Sequence, residues 1–267
     1  MTLEAGAGGD CLFHSVAAGL EAMLQSNTPA AQLVLQTFQV HDFTQGKPHI
    51  VQRLRNCVAA GIRNLGDEDQ LENMVTYINW RRSGYWQDLW DPEDFLHRHG
   101  FSQLLHATTI EAVGIDPQNE ANLLVTYRHR QNLLHTAIEN GAVNLALLRE
   151  DLSEKFTQMG NYHWGSQQDV VMLSEALGIG FIVFTSIEPG NGQWIQYLNF
   201  QRSDYEFWML LYWEDPIHYR LVQLRTSSQD RPQCFFHRSE IPAALVEHFN
   251  LCNRSSPIGL EASVGVS

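Results

Sequence analysis

A cysteine follows a glycine turn near the amino terminus, at the point where a helix is expected to begin. The turn reads Gly8-Gly9-Asp10-Cys11, and apolar residues then recur at the spacing of one helix face: Phe13, Val16, Ala17, Leu20, Met23 and Leu24. The unpaired N–H groups of a helix's first turn favour an anion, which for a cysteine is the thiolate. The sequence therefore makes Cys11 a candidate nucleophile.

Two interpretations fit this local pattern equally well. In the first, Cys11 is a catalytic thiol, and the amides of Gly8 and Gly9 turn inward to hold a developing oxyanion. In the second, Asp10 caps the helix and Cys11 is a small buried apolar residue. A cysteine nucleophile also needs an imidazole within hydrogen-bond reach, so the histidines decide between the two interpretations.

Among the twelve histidines, His218 has the sequence context that best suits a general base. It opens a predicted strand after the Asp215-Pro216 turn, and a residue at the edge of a strand is held rigidly. His14 lies one turn into the first helix, but its ring is expected to leave the face of the thiol. His163 precedes Trp164 and is a candidate for the border of a cleft.

The secondary structure that positions these residues is predicted to be helical in the first part of the chain and rich in strands in the second part. Helical spacing marks residues 50–62, and further helices are predicted as far as residue 149. Beyond Gly178, four apolar runs have the spacing of antiparallel strands: residues 181–184, 194–200, 207–213 and 218–224. We predict an α+β fold, with a small mixed or antiparallel sheet packed between helices and a last helix over about 241–249.

Composition and charge limit the classes of molecule that the protein is expected to bind. The formal net charge is −13 and no basic stripe is visible, so we expect no nucleic acid as a partner. The four cysteines are widely scattered without a CxxC pair, so we expect no metal, no cofactor and no disulfide framework. No apolar run approaches about 18 residues and no signal-peptide pattern is present, so we expect a cytoplasmic monomer that does not bind membranes.

Four blocks of sequence occur in the order found in one protease family. They lie at residues 8–16, which contain Cys11, at 54–59, at 164–184, which begin with Trp164-Gly165, and at 217–219, which contain His218. Together they resemble the ovarian tumour (OTU) cysteine proteases over about residues 3 to 225. The resemblance implies a papain-like hydrolase that cleaves the isopeptide or peptide bond after the C-terminal glycine of ubiquitin, or of a ubiquitin-like modifier.

The same resemblance assigns roles to individual residues. It makes Cys11 the nucleophile and His218 the general base, and it places Gly8–Asp10 on the loop whose amides hold the oxyanion. It also implies that Tyr219 helps to wall the cleft that admits the substrate tail. Trp164 is mainly structural by this resemblance and at most lines the cleft.

Three positions depart from the family pattern. Many OTU sequences have Asp three residues before the cysteine, Asn immediately before it, and Asp or Asn two residues after the histidine. This chain has Gly8, Asp10 and Arg220 at these positions. The residue that orients the histidine is therefore open. Asp10 is the first candidate, and Glu4 and Asp215 are alternatives. A Cys-His dyad that uses a backbone carbonyl or a water is a further alternative.

We predict one catalytic domain over residues 1–250 with a flexible tail over 251–267. Residues from about 64 to 150 have no counterpart in the resemblance and are interpreted as an enlarged helical insertion. Most aromatic residues between 77 and 90 are expected to pack in a core, and the exposed ones are expected to form an arm that contacts the distal ubiquitin.

The predicted function is thus that of a deubiquitinase acting on ubiquitin or polyubiquitin chains, of a divergent viral or bacterial-effector type. Such a protein would act in the host cytosol. Two alternatives are an inactive OTU-like module that binds ubiquitin without cutting it, and a cysteine protease that processes a polyprotein.

Overall fold

The part of the chain that the computed structural model describes contains four helices of eleven residues or more, two 3-10 turns and a six-stranded sheet. That part comprises residues 2–3, 8–25, 32, 34, 38, 43–64, 140, 144–160, 165, 167–186, 194–198, 205–214, 218–224, 232–243 and 245. The helices are α1 (Cys11–Gln25), α2 (Lys47–Arg63), α3 (Leu145–Thr157) and α4 (Gln167–Leu177). The strands are β1 (Thr2–Leu3), β2 (Gly180–Ser186), β3 (Trp194–Leu198), β4 (Phe207–Glu214), β5 (His218–Val222) and β6 (Phe235–His237).

Helix α2 forms where the sequence predicts a helix over residues 50–62. Gly46 precedes it with a φ of 91°, a conformation that favours glycine, and Pro48 lies in its first turn. Its apolar face is buried and comprises Ile50, Val51, Leu54, Val58, Ala59 and Ile62. The predicted helix is confirmed, and one charged residue, Arg55, is buried with this face.

The sheet is mixed, with the strand order β1-β5-β4-β2-β3 and with β6 paired to β4. Strands β2 and β4 run parallel, and every other described pair is antiparallel. The spacing of the apolar runs is typical of antiparallel strands, but β2 and β4 pair in parallel. The reason is that β3 takes the outer edge of β2, so the chain reverses twice before β4 lies against the inner edge.

Two apolar cores lie on the two faces of the sheet. Phe181 and Val183 of β2 enter the first core, whereas Ile182 and Phe184 enter the second, as the alternation of a strand requires. All four described helices contribute to the first core. The α+β class with a mixed sheet is therefore confirmed. Within the described residues, however, helices α1 to α4 share one face, and the segment at Ile241 covers the other.

Helix α3 packs against α2, although residues 145–150 fall within the predicted insertion. Ser153 Oγ donates a hydrogen bond to the carbonyl of Ala59 at 2.9 Å, and Gln52 Nε2 donates to the carbonyl of Thr157 at 2.6 Å. Helix α3 thus belongs to the helical layer that covers the first core, to which it contributes Phe156. Residues 65–139 and 141–143 of the predicted insertion, the predicted tail over 251–267 and most of the predicted last helix lie outside the described residues.

Among the helices that the structure describes, none is long and apolar enough to cross a membrane.

Candidate active site

Cys11 is the first residue of α1, as the sequence predicts, and Gly8–Asp10 form a single 3-10 turn directly before it. The turn and the helix are continuous, so the thiol lies where the backbone N–H groups of the first helical turn have no partner within the helix. The Cys11 side chain is buried, with the residue 1% exposed. The local structure therefore contains both features that the two sequence interpretations propose: a helix start and a buried cysteine.

Strand β5 is bound to α1 through the backbone of Tyr219. Its N–H donates to Cys11 Sγ at 3.4 Å, and its carbonyl accepts a hydrogen bond from Ser15 Oγ at 3.1 Å. Cys11 and Ser15 are one turn apart on α1, so the two contacts hold the strand in a fixed register along the helix. Residues 208 positions apart in the chain meet here.

The end of β1 explains why Tyr219 is available to the helix. β1 pairs with Leu221 and Val222 of β5 and stops there. In a strand, residues two apart direct their N–H and C=O groups to the same edge, so Tyr219 presents these groups to the edge that Leu221 uses for β1. Helix α1 takes the place of β1 along this edge.

His218 lies one residue before this contact, as the first residue of β5, and it is half-buried. The start of β5 and the start of α1 are therefore neighbours, and they bring His218 and Cys11 to one place in the fold. This is the pair of elements that the sequence predicts for the base and the nucleophile. In the sheet, His218 is in register with Glu214 of β4.

Tyr219 differs from its predicted role. Its side chain is buried in the first core, and its ring stacks on Trp213 with centroids 6.4 Å apart. Strand alternation places it on the same face as Leu221, toward the core that the helices cover. In this structure Tyr219 contacts α1 through its backbone while its ring packs in the core, and a role in a cleft wall stays a prediction.

Asp10 forms a buried ion pair with Arg55 of α2. Its Oδ1 accepts from Arg55 Nε, and its Oδ2 accepts from the N–H of Gly160 at 2.5 Å. None of its contacts within the described part of the chain goes to His218. The structure thus gives Asp10 the role of anchoring the turn before Cys11, and orienting the histidine stays a prediction without support from these contacts.

Arg55 is the site residue that the sequence interpretation overlooked. It is 0% exposed. Residues 51, 55, 58 and 62 share one helical face, so a single charged residue stands on an otherwise apolar stripe of α2. That position was the available signal, because a buried charge requires a partner of opposite sign.

Several residues of the prediction lie outside the described part of the chain: Trp164, His163, Glu4 and Asp215. Their roles stay predictions. Gly165 is described, and a Cβ atom placed on it would lie 2.5 Å from Leu12 Cβ. Gly165 therefore lies against the first turn of α1, next to Leu12.

His14 does not supply a positive charge to the thiol. Its Nδ1 is buried and has no hydrogen-bond partner within the described part of the chain. Burial lowers the pKa of His14, and the positive charge of Lys47 acts in the same direction. His14 is therefore neutral at neutral pH and does not stabilise a thiolate by its charge.

Burial also controls the ionisation of Cys11. It raises the pKa of the thiol, because the thiolate loses its hydration, and the N–H groups of Tyr219 and Leu12 oppose this rise. The negative charge of Asp10 raises the pKa further. At rest the thiol is protonated, so a reaction at Cys11 needs a base.

We expect alkylation of Cys11 by iodoacetamide to report this raised pKa. Because only the thiolate reacts, the rate should still be rising above about pH 9, where an ordinary thiol with a pKa of about 8.5 levels off. The measurement is the alkylation rate as a function of pH, with glutathione as reference and Cys11→Ala as the background of the other cysteines. A plateau reached below about pH 8 would contradict the prediction, because it would mean that the site stabilises the thiolate.

No protein-family model matches the chain, and no curated protein matches it. Within the described ranges, no three His, Cys, Asp or Glu side chains are grouped to hold a metal ion. The chemistry of the site therefore has to be inferred from its own residues. Cys11 places a thiol at a helix start, and the N–H of Tyr219 donates to it. His218 precedes Tyr219 and carries a half-buried imidazole, and the ion pair of Asp10 with Arg55 fixes the turn before Cys11. Nucleophilic catalysis by a cysteine requires a thiol and a base, and the structure brings together the two elements that begin with Cys11 and His218.

Proposed function

We propose that the protein is a cysteine protease of the OTU type, which hydrolyses the bond after the C-terminal glycine of ubiquitin or a ubiquitin-like modifier. The observation that carries the proposal is the contact of the Tyr219 N–H with Cys11 Sγ at 3.4 Å. It joins the strand that begins with His218 to the helix that begins with Cys11, which is the pairing that the OTU resemblance implies. The choice of ubiquitin as substrate rests on that resemblance.

The residues divide the reaction between them. His218 takes the proton of Cys11, and the sulfur attacks the glycyl carbonyl, while amides of the Gly8–Asp10 turn stabilise the oxyanion. His218 then gives the proton to the leaving lysine amine, which leaves a thioester on Cys11. A water activated by His218 hydrolyses the thioester and restores the thiol.

The burial of Cys11 adds one requirement to this reaction. Because the residue is 1% exposed, a glycyl carbonyl reaches Sγ only when the residues that cover it open locally. The same burial favours a second candidate function, an OTU-like module that binds ubiquitin without cleaving it. The two candidates differ in whether Cys11 forms a covalent bond to the modifier.

Ubiquitin carrying a C-terminal propargylamide tests the proposal directly, since a reactive thiol positioned at its end forms a covalent adduct. We expect an adduct with the wild type, none with Cys11→Ala, and slow formation with His218→Ala. Cys57→Ala is the matched control, because Cys57 is a half-buried thiol on α2, and it should keep the adduct. Binding of ubiquitin without an adduct would favour the second candidate, and an adduct that survives Cys11→Ala would refute the proposal.

A further inference from the structure

Arg55 is a fully buried cation whose guanidinium binds four residues from two separate segments of the chain. Nε binds the Asp10 carboxylate, Nη1 donates to the carbonyl of Phe156 at 3.3 Å, and Nη2 donates to the carbonyls of Gly9 at 3.5 Å and Gly160 at 3.4 Å. A buried ion pair contributes little net free energy compared with apolar packing of similar volume. The role of Arg55 therefore lies in the chain segments that it holds in place.

Two consecutive residues of the turn before Cys11 are held by the same side chain. Arg55 binds the carbonyl of Gly9 and the carboxylate of Asp10. A trans peptide is planar, so its carbonyl and its N–H point in opposite directions. With the Gly9 carbonyl directed at Arg55, the Asp10 N–H points away from Arg55.

The ring of Phe13, which follows Cys11 in the chain, fixes the plane of the Arg55 guanidinium. Arg55 Cζ lies 4.5 Å from the centroid of the Phe13 ring, on the first turn of α1. A cation over an aromatic face is attracted to it, and the planar guanidinium can stack there. Arg55 thus contacts residues on both sides of Cys11 in the chain, which restricts rotation of the turn relative to the helix.

We propose that Arg55 is a positioning residue, which directs the amides of the Gly8–Asp10 turn toward the oxyanion formed at Cys11. The inference rests on the proposed function, because it assigns Arg55 to the oxyanion step of that reaction. A lysine would keep the charge opposite Asp10, but it is a point charge that cannot bind the carboxylate and the Gly9 carbonyl in one plane. The planar fork of arginine is therefore what the turn requires.

The test compares Arg55→Lys with Arg53→Lys, the same substitution two residues earlier on α2. For hydrolysis of a ubiquitin C-terminal amide, we expect Arg55→Lys to lower kcat by about 10²-fold with KM within about 3-fold, as loss of oxyanion stabilisation does. Alkylation of Cys11 by iodoacetamide should be unchanged, because that displacement develops no oxyanion. Arg53→Lys should change none of these quantities.

A small aldehyde provides a readout that does not depend on ubiquitin. N-acetylglycinal adds the thiol of Cys11 across its C=O bond, so that a C–S bond forms, the proton moves to oxygen and the oxygen takes the oxyanion position. Arg55→Lys should weaken this adduct by about 10²-fold, as measured by protection of Cys11 from alkylation. If the wild type binds the aldehyde with this dependence but does not hydrolyse ubiquitin amides, the proposed function fails and the role of Arg55 stands.

Two results would overturn the role of Arg55. One is an unchanged kcat and aldehyde affinity in folded Arg55→Lys. The other is a parallel fall in kcat and in the alkylation rate, which would indicate general disruption around Cys11.

Phe13→Leu is the second variant, for use where Arg55→Lys does not fold. It keeps the ion pair and removes the ring under the guanidinium, so kcat should fall by about 3- to 10-fold with unchanged alkylation, and an unchanged kcat would overturn the role.

Discussion

Replacing His218 with alanine is expected to lower kcat/KM for a ubiquitin C-terminal amide by about 10³-fold. The physical reason is the state of the thiol. Burial raises the pKa of Cys11, so the sulfur is protonated at neutral pH and becomes a nucleophile only when a base removes the proton. The measurement is steady-state hydrolysis of a fluorogenic ubiquitin amide, with the folded fraction of each variant checked by urea denaturation.

His237→Ala is the matched control for this experiment. His237 lies in β6 of the same sheet, contacts Ser239 and Glu206, and should leave kcat/KM unchanged. The residual activity of His218→Ala should rise with pH, because the thiolate then forms without a base. A variant that keeps more than about a tenth of the wild-type kcat/KM would contradict the assignment of His218.

Replacing Asp10 with asparagine is expected to lower the free energy of unfolding by about 3–5 kcal/mol. The substitution removes the carboxylate charge that binds Arg55 Nε, so a cation that is 0% exposed loses its ion-pair partner and keeps the weaker attraction of Asp169. The measurement is urea denaturation at neutral pH. A residue that only oriented His218 would lower kcat without this loss of stability, so the experiment also separates the two roles of Asp10.

An exposed ion pair provides the control. Arg63 Nε lies 3.2 Å from Glu150 Oε2, with side chains 45% and 65% exposed, so Glu150→Gln should cost less than about 1 kcal/mol. Adding Arg55→Met to Asp10→Asn should recover part of the lost stability, because the buried cation that lost its ion-pair partner is then removed. Equal effects of Asp10→Asn and Glu150→Gln would contradict the prediction.

Local patterns were enough to predict several parts of the site. The apolar spacing after Cys11 predicts α1, the spacing over 50–62 predicts α2, and the continuous apolar run at 181–184 predicts a strand buried on both faces, as β2 is. His218 opens β5 as its position after a proline turn predicts. In each case a short stretch of chain carries the whole signal.

The features that the sequence did not reveal depend on distant residues. β1 and β6 have two and three residues, too few to show a period. The parallel pairing of β2 with β4 is decided by where β3 lies. The ion pair of Asp10 with Arg55 joins residues 45 positions apart, and only the fold shows that the carboxylate turns toward α2.

The contact of Tyr219 with Cys11 has a consequence for synthesis of the chain on the ribosome. The two residues are 208 positions apart, so at about 5–20 residues per second the thiol emerges about 10–40 s before the strand that completes its surroundings. During that time, Cys11 is an ordinary cysteine without its partner strand. A nascent or truncated chain that ends before β5 lacks the strand that begins with His218, so the arrangement around Cys11 forms only when nearly all of the described fold has been synthesised.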